Sequence, residues 1–394
     1  MLGISLICCI LFGLTLFSLD MTQIRPTATN LAPKQRDSGL KVAELHTAIV
    51  IAGNDDFNDT AYSEGWPGNG TASSPYIISD YLIISPSGPA VYILDTNVYF
   101  IIENVTCRDT VPSEGFKLLN VTNGEFRNNF AINTSGGFVF LDSQNNILSG
   151  NTAINSTMYG FQLLRSHNII LINNTAKNTY STDGTGFDLL NSQSNNLTSN
   201  TARDSNLNGF ALHDSHSNYL LNNTAFFNKH GFYISGLGNF LTHNIAMMNN
   251  LTGFKVESCS VNTLIYNTAT NHLGNGFLLV DTSQNLLVYN TATNNGANGI
   301  ALDNASQNTL VRNTATSNAY GLYLVSSNYN TVGVNTLSPN TDGCIWEMGC
   351  VGNTFDGNTC EEPGIPGFNL AILIGMLAGI SAIFFLRKKD SVSI

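Results

Sequence analysis

The chain is poor in charge. Only 11% of its 394 residues are Asp, Glu, Lys or Arg, and 16 basic residues stand against 27 acidic ones, for a formal net charge of −11. A nucleic acid partner needs clustered cations to displace its counterions, so none is expected. Cysteine is scarce too. Seven residues, none in a CxxC pair or another spacing typical of zinc ligands, exclude a zinc ribbon and a disulfide-dense scaffold. The middle of the chain also lacks helical spacing: Gly and Asn interrupt it every few residues, and apolar side chains alternate with polar ones.

What is present is a glycine followed by a large apolar residue, recurring every 22 to 26 residues: Gly115-Phe116, Gly137-Phe138, Gly160-Phe161, Gly186-Phe187, Gly209-Phe210, Gly231-Phe232, Gly253-Phe254, Gly276-Phe277, Gly299-Ile300, Gly321-Leu322 and Gly343-Cys344. A fixed period in that range means a solenoid, one supersecondary unit stacked on itself. Within each unit the first and third residues after the glycine are apolar, as in Phe138 and Phe140 or Phe210 and Leu212, which predicts a strand with those residues inside. A second apolar position follows, at Leu148, Leu171, Leu197, Leu220, Leu264, Leu287 and Leu310, and then an alanine, as at Ala153 and Ala225, expected at a tight corner.

Between them an asparagine recurs at Asn129, Asn151, Asn174, Asn200, Asn223, Asn244, Asn267, Asn290, Asn313, Asn335 and Asn358. Asparagine tolerates a left-handed turn and can pair its amide with the backbone, so this column is expected to form a structural ladder along the axis. The same register extends back to Ala90 and puts Asn104 on the ladder. Twelve to thirteen coils at about 4.8 Å each give a rod about 60 Å long.

The ends bear on the compartment. Residues 1–20, apolar and uncharged to Leu19, have the make-up of a signal peptide or signal anchor, and a linker is expected over 21–46. A cap and first coil are expected over 47–89, repeats over 90–342, and a last coil with a cysteine-containing cap over 343–362. Beyond a linker at 363–367, Phe368 to Leu386 (368–386) are uncharged and largely apolar, enough for about 28 Å of transmembrane helix. Arg387, Lys388 and Lys389 open the tail, 387–394, and the positive-inside rule keeps them cytoplasmic. The repeats are therefore expected at the cell surface, membrane-anchored and extracellular, with the membrane and surface glycans or glycoproteins as partners. Eleven Asn-x-Ser/Thr sequons, among them Asn58, Asn69, Asn104, Asn133, Asn155, Asn196, Asn250 and Asn304, are compatible with a glycosylated domain. Two of Cys344, Cys350 and Cys360 are expected to form a disulfide near Trp346. The third is open to pairing with Cys107 or Cys259, which otherwise stand as buried free thiols.

Short coils with Gly-Phe starts and Asn-Thr-Ala turns resemble the right-handed parallel β-helix of the NosD-like, carbohydrate-binding and sugar-hydrolase group. The segment Ile49 to Asp59, then Gly65-Trp66-Pro67-Gly68-Asn69-Gly70-Thr71, looks like the entry region of such helices in archaeal surface proteins. The tail Ile365-Pro366-Gly367-Phe368 is similar to archaeal carboxy-terminal signals, some of them processed by a sortase-like enzyme and others retained. The resemblance implies an all-β, right-handed, single-stranded parallel β-helix. It spans copper-site factors, lyases, epimerases, hydrolases and non-enzymatic surface proteins, so it implies no single activity.

Chemistry on such a rod belongs on the outward positions two and four residues after the glycine. Most are bland, but in the middle they become Asp188, His213, Tyr233, Ser235, Lys255 and Glu257, with Asp303 further along and Asp214 and Arg165 at adjoining turns. A base to remove the proton beside a uronate carboxylate and a cation to neutralise that carboxylate would suit a polysaccharide lyase or C5-epimerase. An acidic pair for glycoside hydrolysis would come from Asp188 with Glu257 or with Asp214, and three rungs of separation, about 14 Å, exclude Asp188 with Glu257. Copper would need clustered His, Met or Cys, and His213, His216 and His243 lack a further partner. No cofactor is expected beyond Ca²⁺ in an oxygen-rich loop of Asp55, Asp56 and Asp59. The leading expectation is a membrane-tethered structural, adhesive or glycan-binding rod, and the alternative is a polyuronate lyase or epimerase acting through the Asp188–Glu257 face.

Overall fold

The computed structural model describes residues 43–360. The expected signal or anchor, the transmembrane segment, the Pro-Gly-Phe signal and the basic tail lie outside the described residues. Among the described residues no helix is long and apolar enough to cross a membrane. The chain winds as a right-handed parallel β-helix of about twelve turns, each turn giving one strand to each of three sheets. Sheet 1 has 13 strands, Ile49–Ala52 to Gly343–Met348; sheet 2 has 13, Tyr76–Ser79 to Thr354–Asp356; sheet 3 has 12, Glu44–His46 to Thr314–Thr316. All neighbours pair in parallel, and the first strand, Glu44–His46, already pairs with Tyr81–Ile84.

The inward residues build a continuous axial core. Phe116, Phe138, Phe161, Phe187, Phe210, Phe232, Phe254 and Phe277 stack ring on ring, with centroids 4.6 to 4.8 Å apart. The repeat glycine faces the repeat alanine: a Cβ on Gly209 would lie 2.8 Å from Ala225 Cβ and 2.7 Å from the Gly231 carbonyl. Ala225 sits in the middle of a sheet 3 strand, Thr224–Phe226, so its small size serves this close approach and not the expected corner. At the N-terminal end the helix α1 (Gly53–Glu64) drops Phe57 onto Phe100, ring centroids 5.1 Å apart, and closes the core.

The asparagine ladder is present, with two corrections. Each amide accepts from the backbone N–H and the side-chain Nδ2 of the preceding ladder residue: Asn200 N and Nδ2 reach Asn223 Oδ1 at 2.9 and 3.0 Å, while Asn223 Nδ2 donates to the Leu197 carbonyl at 2.8 Å. The left-handed residue is the one before the ladder asparagine, for example Asn173, Ser199 and Asn222, so the ladder residues themselves are not the left-handed ones. Asn104 is also off the ladder. It is exposed with φ 55°, and Val105 takes its place, its N–H reaching Asn129 Oδ1.

Two further columns were not anticipated. Asn195, Asn218, Asn239, Asn262, Asn285, Asn308 and Asn330 bond likewise ahead of sheet 2. Ahead of sheet 1, Asn228, Asn249, His272, Asn295, Asn318 and Asn340 form a third, in which His272 Nδ1 accepts from the Asn249 N–H at 3.0 Å. None of the eleven sequon asparagines is buried. The reason is geometric for the first ladder, because from Asn129 to Asn313 the residue two places after the asparagine is an inward alanine, such as Ala131, Ala153 or Ala225, and not Ser or Thr.

Asp55, Asp56 and Asp59 do not form an oxygen-rich loop. They lie in α1, where Asp56 Oδ2 accepts from the Ala52 N–H at 2.6 Å. Among the described residues no group of three or more His, Cys, Asp or Glu is placed to share a metal ion. Cys344 pairs with Cys360 across a Cα–Cα distance of 5.5 Å, and among the described residues Cys107, Cys259 and Cys350 are free.

Candidate active site on the outer face of sheet 1

Residues two and four after each repeat glycine do form two columns on the outer face of sheet 1. In the first, Asp188, Ala211, Tyr233 and Lys255 follow one another in register; in the second, Leu190 pairs with His213 and His213 with Ser235, with Glu257 beyond. The structure brings together Asp188, His213, Tyr233, Lys255 and Glu257. It leaves apart Asp214, an exposed corner residue with φ 44°, and Arg165, held by Asp142 through bonds of 2.7 and 2.9 Å. Asp303 is exposed two rungs beyond Glu257.

Asp188 is outward in register but buried. Ala211 below it is small, and Gln162 above it donates to Oδ2 at 3.1 Å, while the other oxygen, Oδ1, lies 3.6 Å from His213 Nε2. Burial pushes the Asp188 carboxyl above the usual carboxylate range, against the opposing pull of His213 and Gln162. The His213 ring meets Tyr233 with centroids 5.0 Å apart, and Lys255 Nζ stands 5.5 Å over the Tyr233 ring. Burial, and then hydrogen bonding with Glu257, push the Tyr233 phenol up to about 12, so it is a neutral donor at ordinary pH. Lys255 Nζ donates to Glu257 Oε2 at 2.8 Å. Burial acts to raise the Glu257 carboxyl, but its bonds with Lys255 and Tyr233 outweigh this and hold it low.

A third column, the residue just before each repeat glycine, flanks this patch and escaped sequence reasoning. It holds Tyr159, Asn208 and His230. Burial, and then the Asp188 charge, raise the Tyr159 phenol. Burial, and then Lys255 and Lys229, hold His230 down to about 4, so it is neutral. Asn208 Oδ1 and His230 Nδ1 are buried without a hydrogen-bond partner among the described residues. Such atoms are costly unless something satisfies them, which makes them candidate ligand contacts. The signal was available as polar residues directly preceding Gly160, Gly209 and Gly231, in a column whose other members include Gly136 and Thr252.

The arrangement offers a buried carboxylate against an imidazole, a neutral phenol and an ammonium on one shallow face. That set can move a proton and neutralise an anion.

Three comparisons bear on this scaffold. A sequence search of curated proteins finds no match. Among solved structures, a point mutant of the periplasmic alginate epimerase AlgG superposes with a TM-score of 0.57 at 16% identity, over 73% of this chain and 85% of that one. The Azotobacter vinelandii mannuronan C-5 epimerase AlgE6 A-module superposes with a TM-score of 0.56 at 16% identity, over 78% of this chain and 94% of that one. At these identities the likeness is one of fold. The family described as the right handed beta helix region matches residues 68–226 and 213–337, and the chain belongs to that family.

Proposed function

We propose that this protein acts on an acidic polysaccharide, a polyuronate, laid along the outer face of sheet 1, by removing the proton at C5 beside the uronate carboxylate. The observation that carries the proposal is the buried Asp188 carboxylate against His213, with Asn208 Oδ1 and His230 Nδ1 unpartnered alongside. A merely solvated ion pair requires none of these. In this reading Lys255 exchanges Glu257 for the substrate carboxylate, and His213, oriented by Asp188, takes the C5 proton. The electron pair left at C5 forms a C4=C5 double bond and expels the C4 oxygen, which takes the Tyr233 proton, as in a lyase; in an epimerase the sugar turns its other face to Tyr233, and C5 takes that proton instead. Two of the proteins that share the scaffold are named for epimerising alginate and mannuronan, which fits a polyuronate.

The test is incubation of the purified protein with polyuronates and neutral glycans, with mass spectrometry for unsaturated ends and NMR for C5 configuration. Retention without products would support a second reading, a membrane-tethered, glycosylated surface rod that binds glycan without turnover. The pairing of Lys255 with Glu257 at 2.8 Å favours that reading, because the ammonium is already neutralised. Tethering through Phe368 to Leu386 is part of the proposal in either case, and alkaline extraction of membranes tests it, since an anchored chain stays in the pellet.

A further inference from the structure

The outer face of sheet 1 does not end with the polar patch. Beyond Lys255 the same column continues in register through Leu278, Ala301, Tyr323 and Trp346. Leu278 and Ala301 are apolar, and the charge beside them on this face is Asp303 in the neighbouring column, which leaves the column from Lys255 to Trp346 as the track for an anionic chain. Tyr323 and Trp346 then lie parallel, ring centroids 4.4 Å apart and 9° between planes. Tyr320, from the flanking column, stands at an angle to both, with centroids 5.8 Å from Tyr323 and 6.4 Å from Trp346. The three rings make a ledge with a wall. The next residue in register with Tyr320 is Gly343, where even a Cβ would come 3.4 Å from the Tyr320 ring, so among the described residues that strand lays no side chain over the ring. Cys344, two residues before Trp346, is tied to Cys360, which fastens the strand that carries the ledge.

We propose that Tyr320, Tyr323 and Trp346 form a distal subsite that stacks one sugar unit of the same glycan chain. The inference rests on the glycan-binding reading above and adds where the chain is gripped. A pyranose presents an apolar C–H face ringed by hydroxyls. Tyr and Trp match it, with apolar faces and a polar O–H or N–H at the edge. Trp346 is four rungs from Lys255, about 19 Å along the axis, so an extended oligosaccharide reaches both. A second copy of the chain stacked on the rod end would pair with the backbone edge of Gly343–Met348, which no further strand among the described residues covers. That edge runs at right angles to the face from which these rings project.

The full chain reports on this subsite directly, because it has two Trp and the other, Trp66, is buried near α1. Titration with oligouronides of increasing length should change Trp346 emission only when the oligomer is long enough to span from Lys255. The Tyr323→Leu/Trp346→Leu variant should bind long oligomers about tenfold more weakly and short ones as the wild type does. Trp346→Phe, which keeps a stacking face, should bind nearly as the wild type does and guards against misfolding of the double variant. Equal affinity of the wild type and the double variant for long oligomers would overturn the subsite while leaving glycan binding intact. Binding of no oligomer at any length by the wild type would instead remove the glycan reading itself. Concentration-dependent self-association abolished by the double variant, with oligomer binding unchanged, would assign the rings to a second copy and overturn the proposal.

Discussion

The Asp188 carboxylate lies against the His213 imidazole, 3.6 Å from Oδ1 to Nε2, and only 6% of the Asp188 side chain is exposed against 37% of that of His213. An outward position on a sheet normally meets water. Here the small Ala211 below and Gln162 above let the neighbours close over the carboxylate, so it lies against the imidazole at a cost to the fold.

That cost gives the first prediction. Burial raises the Asp188 carboxyl in the folded chain above its unfolded value, so its contribution to stability is fully present below the ordinary carboxylate range and is lost as pH rises through the folded pKa. Asp188→Asn should therefore stabilise the protein at pH 7, by on the order of 1 kcal/mol, and change little in strong acid. Urea unfolding at both pH values measures this, and the same variant should lose at least about a hundredfold in turnover.

His272 has the opposite sign. Burial lowers it to about 4, and its Nδ1 must stay unprotonated to accept the Asn249 N–H. Below about 6.5 the unfolded chain takes up a proton that the folded chain refuses, so stability falls by up to about 3 kcal/mol between pH 6.5 and 4. His272→Asn restores the residue type of its ladder and should remove about half of the slope in that part of the pH–stability curve, with His230, also held down to about 4, supplying the rest. A curve identical to wild type would refute the assignment.

Asn223→Ala removes one carbonyl and one amide that satisfy Asn200 N, Asn200 Nδ2 and the Leu197 carbonyl. It should cost about 3 kcal/mol, whereas Asn222→Ala, at the left-handed exposed neighbour with φ 55°, should cost about 1 kcal/mol. Chemical denaturation of the two variants side by side tests whether the ladder or the corner carries the stability.

Reducing the Cys344–Cys360 bridge, which closes a 16-residue separation, should loosen the last coil first, with a loss of about 3 kcal/mol at most. In a solenoid each coil contacts only its neighbours, so hydrogen exchange should rise over Gly343–Met348 and Thr354–Asp356 and leave the Phe187 to Phe254 core protected.

The repeat carried the fold openly. Gly209, Phe210 and Leu212 define an inward pattern in every coil, and Asn223 marks the ladder because a stacked amide repeats at the coil's own period. The ladder ahead of sheet 1 was hidden because its column changes type: Ser205 gives way to Asn228, and His272 interrupts Asn249 and Asn295 while making equivalent backbone bonds. The ladder ahead of sheet 2, asparagine in every coil from Asn195 to Asn330, was as legible as the first. At the site, Asp188, His213, Tyr233, Lys255 and Glu257 were legible because they break a bland alternation. Asn208 and His230 were not, since the turn into the repeat glycine brings them onto the same face from outside that alternation. The carboxylates of Asp55, Asp56 and Asp59 read as a loop because polar runs do so. Phe57 and Ala61, four apart and both buried, were the sign of the helix.

The most direct test of the account is deuterium exchange at C5 of a polyuronate incubated with the protein in D₂O and followed by NMR. The account predicts that the wild type incorporates deuterium at C5, with inverted or eliminated units accumulating, and that Asp188→Asn and His213→Asn each abolish it. No incorporation by folded wild-type protein into any polyuronate, with the chain nonetheless retained on the glycan, would contradict proton abstraction on this face.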